Sequence, residues 1–239
     1  MAKGASANLD FLRAVAVLLV LAQHLCKRLH IETSMGLFGV LLFFVHTSLV
    51  LMLSMDRGGL SGVSVLKDFY IRRVFRIYPL SILAVASAVA LHLDSNINGV
   101  DGLSYGPLPG KLAILSQVLL VQNVAHVKSI VNVLWSLPFE VQMYLFLPFL
   151  FACVRRKRAF WSLMALWIVS LLPAMVQPHI AALNRVSLVR FVSCFLPGII
   201  AFTIPRTPRL GLIFGLFLFL VWRLLSHSIL YFRWDEFSV

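Results

Sequence analysis

Apolar runs of about 18 residues or more recur along this chain, a length that matches the hydrocarbon core of a bilayer. Short links holding many of the lysines and arginines separate them. Inside lipid every backbone polar group must be satisfied within the protein, so a chain patterned this way is confined to helices packed as a bundle. Composition agrees. Hydrophobic residues make up 60% of the sequence and charged ones 13%, against roughly half and a quarter in ordinary globular domains, and the mean hydropathy is +0.93.

Seven helical spans can be drawn, at about 9–26, 35–54, 77–93, 133–154, 159–176, 187–204 and 210–230. The stretch 112–125 is too short to cross and contains Gln117, Gln122 and Asn123, which suits a re-entrant or interfacial helix. With the amino terminus inside, cytoplasmic links hold Arg57, Lys67, Arg72, Arg73 and Arg76, then Arg155, Arg156, Lys157 and Arg158, then Arg206 and Arg209. That is the excess of basic residues that short cytoplasmic loops carry. Counting 112–125 as a span would throw the 155–158 block outside. Lys27, Arg28, Arg185 and Arg190 stay on the outer side, so the asymmetry is a bias.

The expected fold class is therefore all-α, a polytopic integral membrane helix bundle of about seven transmembrane helices plus one short re-entrant or interfacial helix. It forms one domain over 1–239, placed in the inner (plasma) membrane with the amino terminus cytoplasmic. The chain begins like a signal peptide, but Asp10 and Arg13 interrupt the apolar stretch and no small-residue cleavage site closes it, so an uncleaved first span is expected.

A net charge of +12 raises nucleic acid as a partner. Membrane topology already accounts for many of these charges, and no nucleic acid is expected. Cys26, Cys153 and Cys194 are odd in number and lie in or at the ends of apolar runs, as small buried residues do. Neither an HExxH nor a CxxC spacing occurs, nor a glycine-rich phosphate loop, so no metal and no nucleotide hydrolysis are expected.

An ionisable side chain within a span costs roughly 2.5–3.5 kcal/mol on insertion scales and needs a partner, a water-filled cavity or a function. Arg13, His24, His46 and Glu140 are of this kind. The 11 residues from Arg13 to His24 turn to within ~20° of one direction and rise ~16 Å, so both side chains line one face of span 1 at different depths. Arg13 also stands at i, i+3 from Asp10, where pairing or snorkelling gives it a structural use. His24, near the outer end, has the structural alternative of a bond to a neighbouring helix.

Glu140 follows Trp135, a residue suited to the membrane interface, by five positions, which is ~7 Å in a regular helix and puts it near His24 in depth. Ser136, Glu140 and Tyr144 recur at i, i+4 as a polar stripe. A histidine with a carboxylate partner is a general-base arrangement, because imidazole titrates near neutrality and the carboxylate stabilises its protonated form. Pairing of Glu140 with an arginine of another span is the structural alternative. Arg72, Arg73 and Arg76 precede span 3; Arg73 and Arg76 stand one helical turn apart and can grip a phosphate or anchor the span. His46, in the middle of span 2 and followed by Thr47 and Ser48, favours an interhelical hydrogen bond or borders the same cavity.

Four segments carrying these residues resemble the acyltransferase 3 family, membrane enzymes that acylate carbohydrates and other envelope molecules. They are Leu9-Asp10-Phe11-Leu12-Arg13-Ala14 with His24 after it; Phe43-Phe44-Val45; Phe69-Tyr70-Ile71-Arg72-Arg73-Val74-Phe75-Arg76-Ile77-Tyr78-Pro79; and Trp135-Ser136-Leu137-Pro138-Phe139-Glu140-Val141-Gln142-Met143-Tyr144. The resemblance covers about 8–210 and implies that Arg13, His24, Arg73, Arg76 and Glu140 match the family's functional positions. Two departures stand out. Thr47-Ser48-Leu49 replaces the Ser-Gly-Phe of many relatives, and the family usually has more spans, so this chain reads as a domain lacking C-terminal spans and completed by a partner subunit or an oligomer.

What the resemblance implies is a membrane-bound acyltransferase moving an acyl group, acetyl above all, from acyl-CoA to a hydroxyl of an envelope carbohydrate, glycolipid or exopolysaccharide. Catalysis would fall to His24 and Glu140, with His24 either deprotonating the acceptor or carrying the acyl group. Arg13, Arg73 and Arg76 would bind the acyl-CoA co-substrate, and Ser136, Tyr144 and His46 would line the substrate cavity. Two alternatives remain open: a transporter or flippase-like carrier of envelope lipids or polysaccharide units, and an inactive fragment or accessory subunit.

Overall fold

Among the described residues the apolar runs form helices. The computed structural model describes residues 3–31, 33, 35–58, 62–94, 104–105, 108–154, 159–176, 188–204, 213–217 and 220–221. Its helices are α1 (Lys3–Arg28), α2 (Met35–Arg57), α3 (Val63–Ala90), α4 (Lys111–Val118), α5 (Leu137–Val154, entered through a 3-10 turn at Asn132–Ser136), α6 (Ala159–Val176) and α7 (Leu188–Thr203). A two-residue antiparallel pairing, Leu93 with Tyr105 and Asp94 with Ser104, joins the chain beyond α3 to the approach to α4.

Asn8–Lys27, Met35–Arg57, Val63–Ala90 and Val133–Val154 are long and apolar enough to cross a membrane, and Ala159–Leu172 and Phe191–Thr203 are shorter apolar helices. Together they make a helical membrane bundle. Its outward surface carries Phe11, Leu18 and Leu21 of α1, Phe75, Leu80 and Leu83 of α3, and Trp161 and Leu172 of α6, apolar groups suited to hydrocarbon rather than to water. The expected span 210–230 lies largely outside the described residues, with 213–217 helical; the 155–158 block, Arg185, Arg206 and Arg209 lie outside them too.

α2 is the core helix. Leu41, Leu42, Phe44, Val45, Leu51 and Met52 are all buried, and a helix apolar on every side belongs in the interior. It runs antiparallel to α1, with the Gly36 N–H bonded to the Gln23 side chain at one end. A Cβ on Gly39 would sit 2.6 Å from the Ala16 carbonyl oxygen, so glycine there sets how closely the two backbones approach. α7 packs parallel to α2: Phe44 stacks on Phe195 at 4.3 Å, and Leu49 clusters with Ala201 further along. Ser48 Oγ donates to the Phe195 carbonyl at 2.8 Å, with the Val45 carbonyl at 3.0 Å as its other acceptor.

One helical proline leaves a carbonyl that the bundle satisfies by other means. Pro197 lies inside α7, and a helical proline has no N–H for the carbonyl four residues earlier, here Ser193. Trp167 Nε1 of α6 donates to that oxygen at 3.1 Å.

The span expected at 77–93 begins much earlier. α3 starts at Val63 and continues through Pro79 to Ala90, so Arg72, Arg73 and Arg76 lie on the helix and not before it. Nothing between Val63 and Tyr78 breaks a helix, and arginine stems can lie along apolar surface while their heads find polar surroundings. The stretch 112–125 behaves as expected of a non-spanning segment: α4 ends at Val118 and turns follow. Amide groups staple it. Gln117 Nε2 donates to the Lys128 carbonyl at 3.0 Å, Gln122 Nε2 to the Leu134 carbonyl at 3.3 Å, and Gln142 Nε2 of α5 to Asn123 Oδ1 at 3.0 Å.

Candidate active site

α3 and α5 meet through aromatic contacts that fix the arginines. Tyr70 Oη donates to the Leu145 carbonyl at 2.9 Å, and the Phe69 ring meets the Tyr144 ring edge-on at 6.0 Å. One turn along α3 from Phe69, the Arg73 guanidinium lies 6.0 Å from the Phe69 ring centre, a cation on an aromatic face. Its Nε is buried and has no hydrogen-bond partner among the described residues. Arg72 takes another course, pairing with Asp68 at 2.9 Å on the exposed side of the helix.

Glu140 is buried on α5. The Tyr144 hydroxyl one turn further on donates to its Oε1, and Arg73 and Arg76 are the cations that act on it. The same hydroxyl faces Arg73. Carboxylate, phenol and guanidinium thus form a connected group, and a buried carboxylate needs such donors to remain in an apolar bundle. Ser136 ends the 3-10 turn one step before α5, so its register with Glu140 and Tyr144 is set by that junction rather than by one regular helix.

His46 of α2 is buried, with the Phe43 ring 6.1 Å away. Asp10 and Arg13 of α1 and Arg76 of α3 are the charged groups that act on it, and the Leu9 carbonyl faces it. Arg13 and Arg76 are exposed at the flanks of the bundle. Four helices therefore bring Arg13, His46, Arg73, Arg76, Glu140 and Tyr144 into one neighbourhood. Below it, Arg73 also lines a small cleft with Ser54, Gly58, Asp68, Phe69 and Arg72, so this guanidinium joins the cleft to the buried acid.

His24 stands apart. Its neighbour Gln23 meets Gly36, which puts it at the start of α2, whereas Phe139 beside Glu140 packs on Phe191 at 4.4 Å and Phe191 on Phe44 at 5.8 Å. From the level of Gly36 to that of Phe44 is roughly 12 Å along α2. Glu140 therefore lies deeper than the expected level beside His24. Trp135, expected at the membrane interface, packs inward against Phe139 and Phe191, with centroids at 6.2 and 6.4 Å, so it is no measure of depth.

Phe69 and Tyr70 are the participants that residue-by-residue reading passes over. They lie in the same segment as the arginines, and their positions one turn before Arg73 are the available signal.

A membrane-embedded helical bundle with arginines, an acid and a histidine gathered from separate helices has the architecture of an integral membrane enzyme or carrier. Comparison with known proteins decides the lineage: the family model described as an acyltransferase domain matches residues 6–237, and the chain belongs to that family, acyltransferase 3. It is similar to proteins of Staphylococcus aureus strains COL, MSSA476 and MRSA252, each named "Putative O-acetyltransferase", with 32% identity over 156 residues covering 59% of this chain and 24% of the relative. The chain matches about a quarter of the length of these relatives, 24%. No solved structure matches it.

Proposed function

We propose that this protein is a membrane O-acyltransferase that moves an acyl group, acetyl above all, from acyl-CoA to a hydroxyl of an envelope carbohydrate or glycolipid. The observation that carries the reading is the convergence of Arg13, Arg73 and Arg76 near a buried polar centre, with Arg73 lining the cleft and its Nε buried without a hydrogen-bond partner among the described residues. Guanidinium groups are suited to phosphate, and acyl-CoA is a polyanion with a long neutral arm. Its phosphates rest on the arginines, and the arm runs along α1 to His24, ~16 Å beyond Arg13. The arginine end faces the cytoplasm of an inner-membrane protein, where acyl-CoA is made, and His24 faces the outer leaflet.

At His24 the imidazole takes the proton of the acceptor hydroxyl as its oxygen attacks the thioester carbonyl. The thiolate then leaves and is protonated by the imidazolium, so ester and free CoA are formed with no net proton change. The acyl group can instead pass through the imidazole. Glu140 shares the site with the arginines, and its acid balances their charge before donor arrives.

Transfer of labelled acetyl from acetyl-CoA by purified protein in lipid tests this. His24→Ala should lower transfer by a factor of about 100 or more while CoA still binds. A folded His24→Ala variant that transfers label at the wild-type rate would remove the central residue, and wild-type protein that binds no CoA would favour a carrier of envelope lipids.

A further inference from the structure

The proposed reaction makes no use of the stretch between α3 and α5, although that stretch reaches the depth of the site. It descends beside the half of α3 that ends at Ala90, on the side of the bundle that also carries the α1–α2 connection. Ile114 and Val118 of α4 cluster with Val85 and Ala88 of α3. Where α4 ends, Tyr78 Oη donates to the Leu119 carbonyl at 3.3 Å, and Tyr78 lies ~18 Å along α3 from Ala90. At the tip, Asn123 Oδ1 accepts from Gln142, two residues beyond Glu140 on α5. The tip therefore stands within about one helical turn of the acid and of Arg76 in depth. The chain then climbs back: Gln117 Nε2 donates to the Lys128 carbonyl, Ser129 Oγ donates to Gln117 Oε1, and Ile130 joins the cluster of Val85 and Ala88. The stretch is thus re-entrant, and its return limb, 124–128, runs roughly 7–18 Å below the end of α3.

Non-helical backbone at such a depth is stable only when it is buried in protein or borders water. This limb is not buried. Val124, His126 and Lys128 are exposed, and hydrocarbon does not accommodate the last two without a partner or water. α4 on the way down is different: it exposes Leu112, Leu115 and Leu119 and keeps Ser116 and Gln117 inside, as contact with lipid requires. The limb is also held in place. The Val127 N–H donates to the Gln122 carbonyl at 3.0 Å, and the Gln122 side chain is fixed on the Leu134 carbonyl, so a bonded turn presents His126.

We infer that the limb 124–128 lines a water-filled vestibule, open beside the α1–α2 connection and descending along α3 toward the level of Glu140, in which the hydroxyl-rich acceptor is received. The acceptor's part rests on the acyltransferase reading above; the vestibule itself does not. A sugar is hydrated on all sides, so in a space that already holds water it exchanges one set of hydrogen bonds for another, and histidine and lysine side chains offer it donors.

Single cysteines in a full chain without its three native thiols test the two parts separately, in sealed membrane vesicles. The probe is a sulfonated, membrane-impermeant maleimide comparable in size to a disaccharide. His126→Cys and Lys128→Cys should react in the same vesicles as Ile31→Cys and within about tenfold of its rate. Leu112→Cys and Leu115→Cys should react only with N-ethylmaleimide, which enters lipid. Val124→Cys takes the place of a limb variant that fails to fold. Silence at 126 and 128 overturns the inference, because lipid or a partner helix then covers the limb. Labelling at 128 with 126 silent overturns it too, because only a surface loop is left. Modified His126→Cys should then lose about tenfold or more of labelled acetyl transfer to the acceptors of the membrane, with CoA affinity unchanged. Modification that leaves transfer intact overturns the acceptor's use of the space. Unmodified chain that transfers no label sinks the acyltransferase reading, a result on which the labelling pattern does not depend.

Discussion

Glu140 separates two accounts of the site at the level of single residues. As a counter-charge to Arg73 and Arg76, it competes with the donor's phosphates. Glu140→Gln should then tighten CoA binding several-fold, read by titration of the purified variant. As an acid that only secures α5 through the Tyr144 hydroxyl, it would leave CoA affinity unchanged and show as a lower unfolding midpoint, so the two measurements together choose. Position along a helix made much of this legible beforehand: the turn between Arg73 and Arg76, the shared face of Arg13 and His24, and the step from Glu140 to Tyr144 all follow from 3.6 residues per turn. Depth across helices did not follow. Trp135 looks like a boundary marker in isolation and packs against Phe191 in the bundle, and no local pattern announces which helix a tryptophan will face. Phe69 and Tyr70 were hidden for the same reason, because their partners Tyr144 and Leu145 are remote in sequence.

Between elements, α7 is held by two contacts that mutation can address. Trp167→Phe keeps the ring and loses the donor to the Ser193 carbonyl, so stability in detergent should fall by about 0.5–2 kcal/mol, seen as a lower unfolding midpoint. Gly198→Ala should be more damaging, since a Cβ there would collide with Ser48 Oγ and the Val45 carbonyl. Adding Ser48→Gly should restore only part of the loss, because the backbone carbonyl stays. Span positions were readable from length and hydropathy, and α1, α2, α6 and α7 lie close to where they were drawn. The start of α3 was not, because a hydropathy window ends at the first cluster of arginines while the helix, whose backbone bonds are indifferent to charge, continues through it.

For the whole molecule the testable property is which way the bundle faces. The proposed orientation puts the α1–α2 connection outside and the α2–α3 connection inside. Single cysteines introduced at Ile31 and at Gly58, in a background without the native thiols, should react with an impermeant maleimide on intact cells only at position 31. Labelling of the Gly58 variant alone would invert the bundle and with it the side from which donor is taken. The excess of arginine near α3 carries that expectation.

The tight pairing of α1 with α2 has a consequence for how the protein is made. Gln23 with Gly36, and the near touch of Gly39 on Ala16, lie wholly within the first two helices, as do Arg13 and His46. A nascent chain released to about residue 57 already holds both sides of each of these contacts, so the α1–α2 wall of the bundle takes shape before the ribosome has reached Glu140.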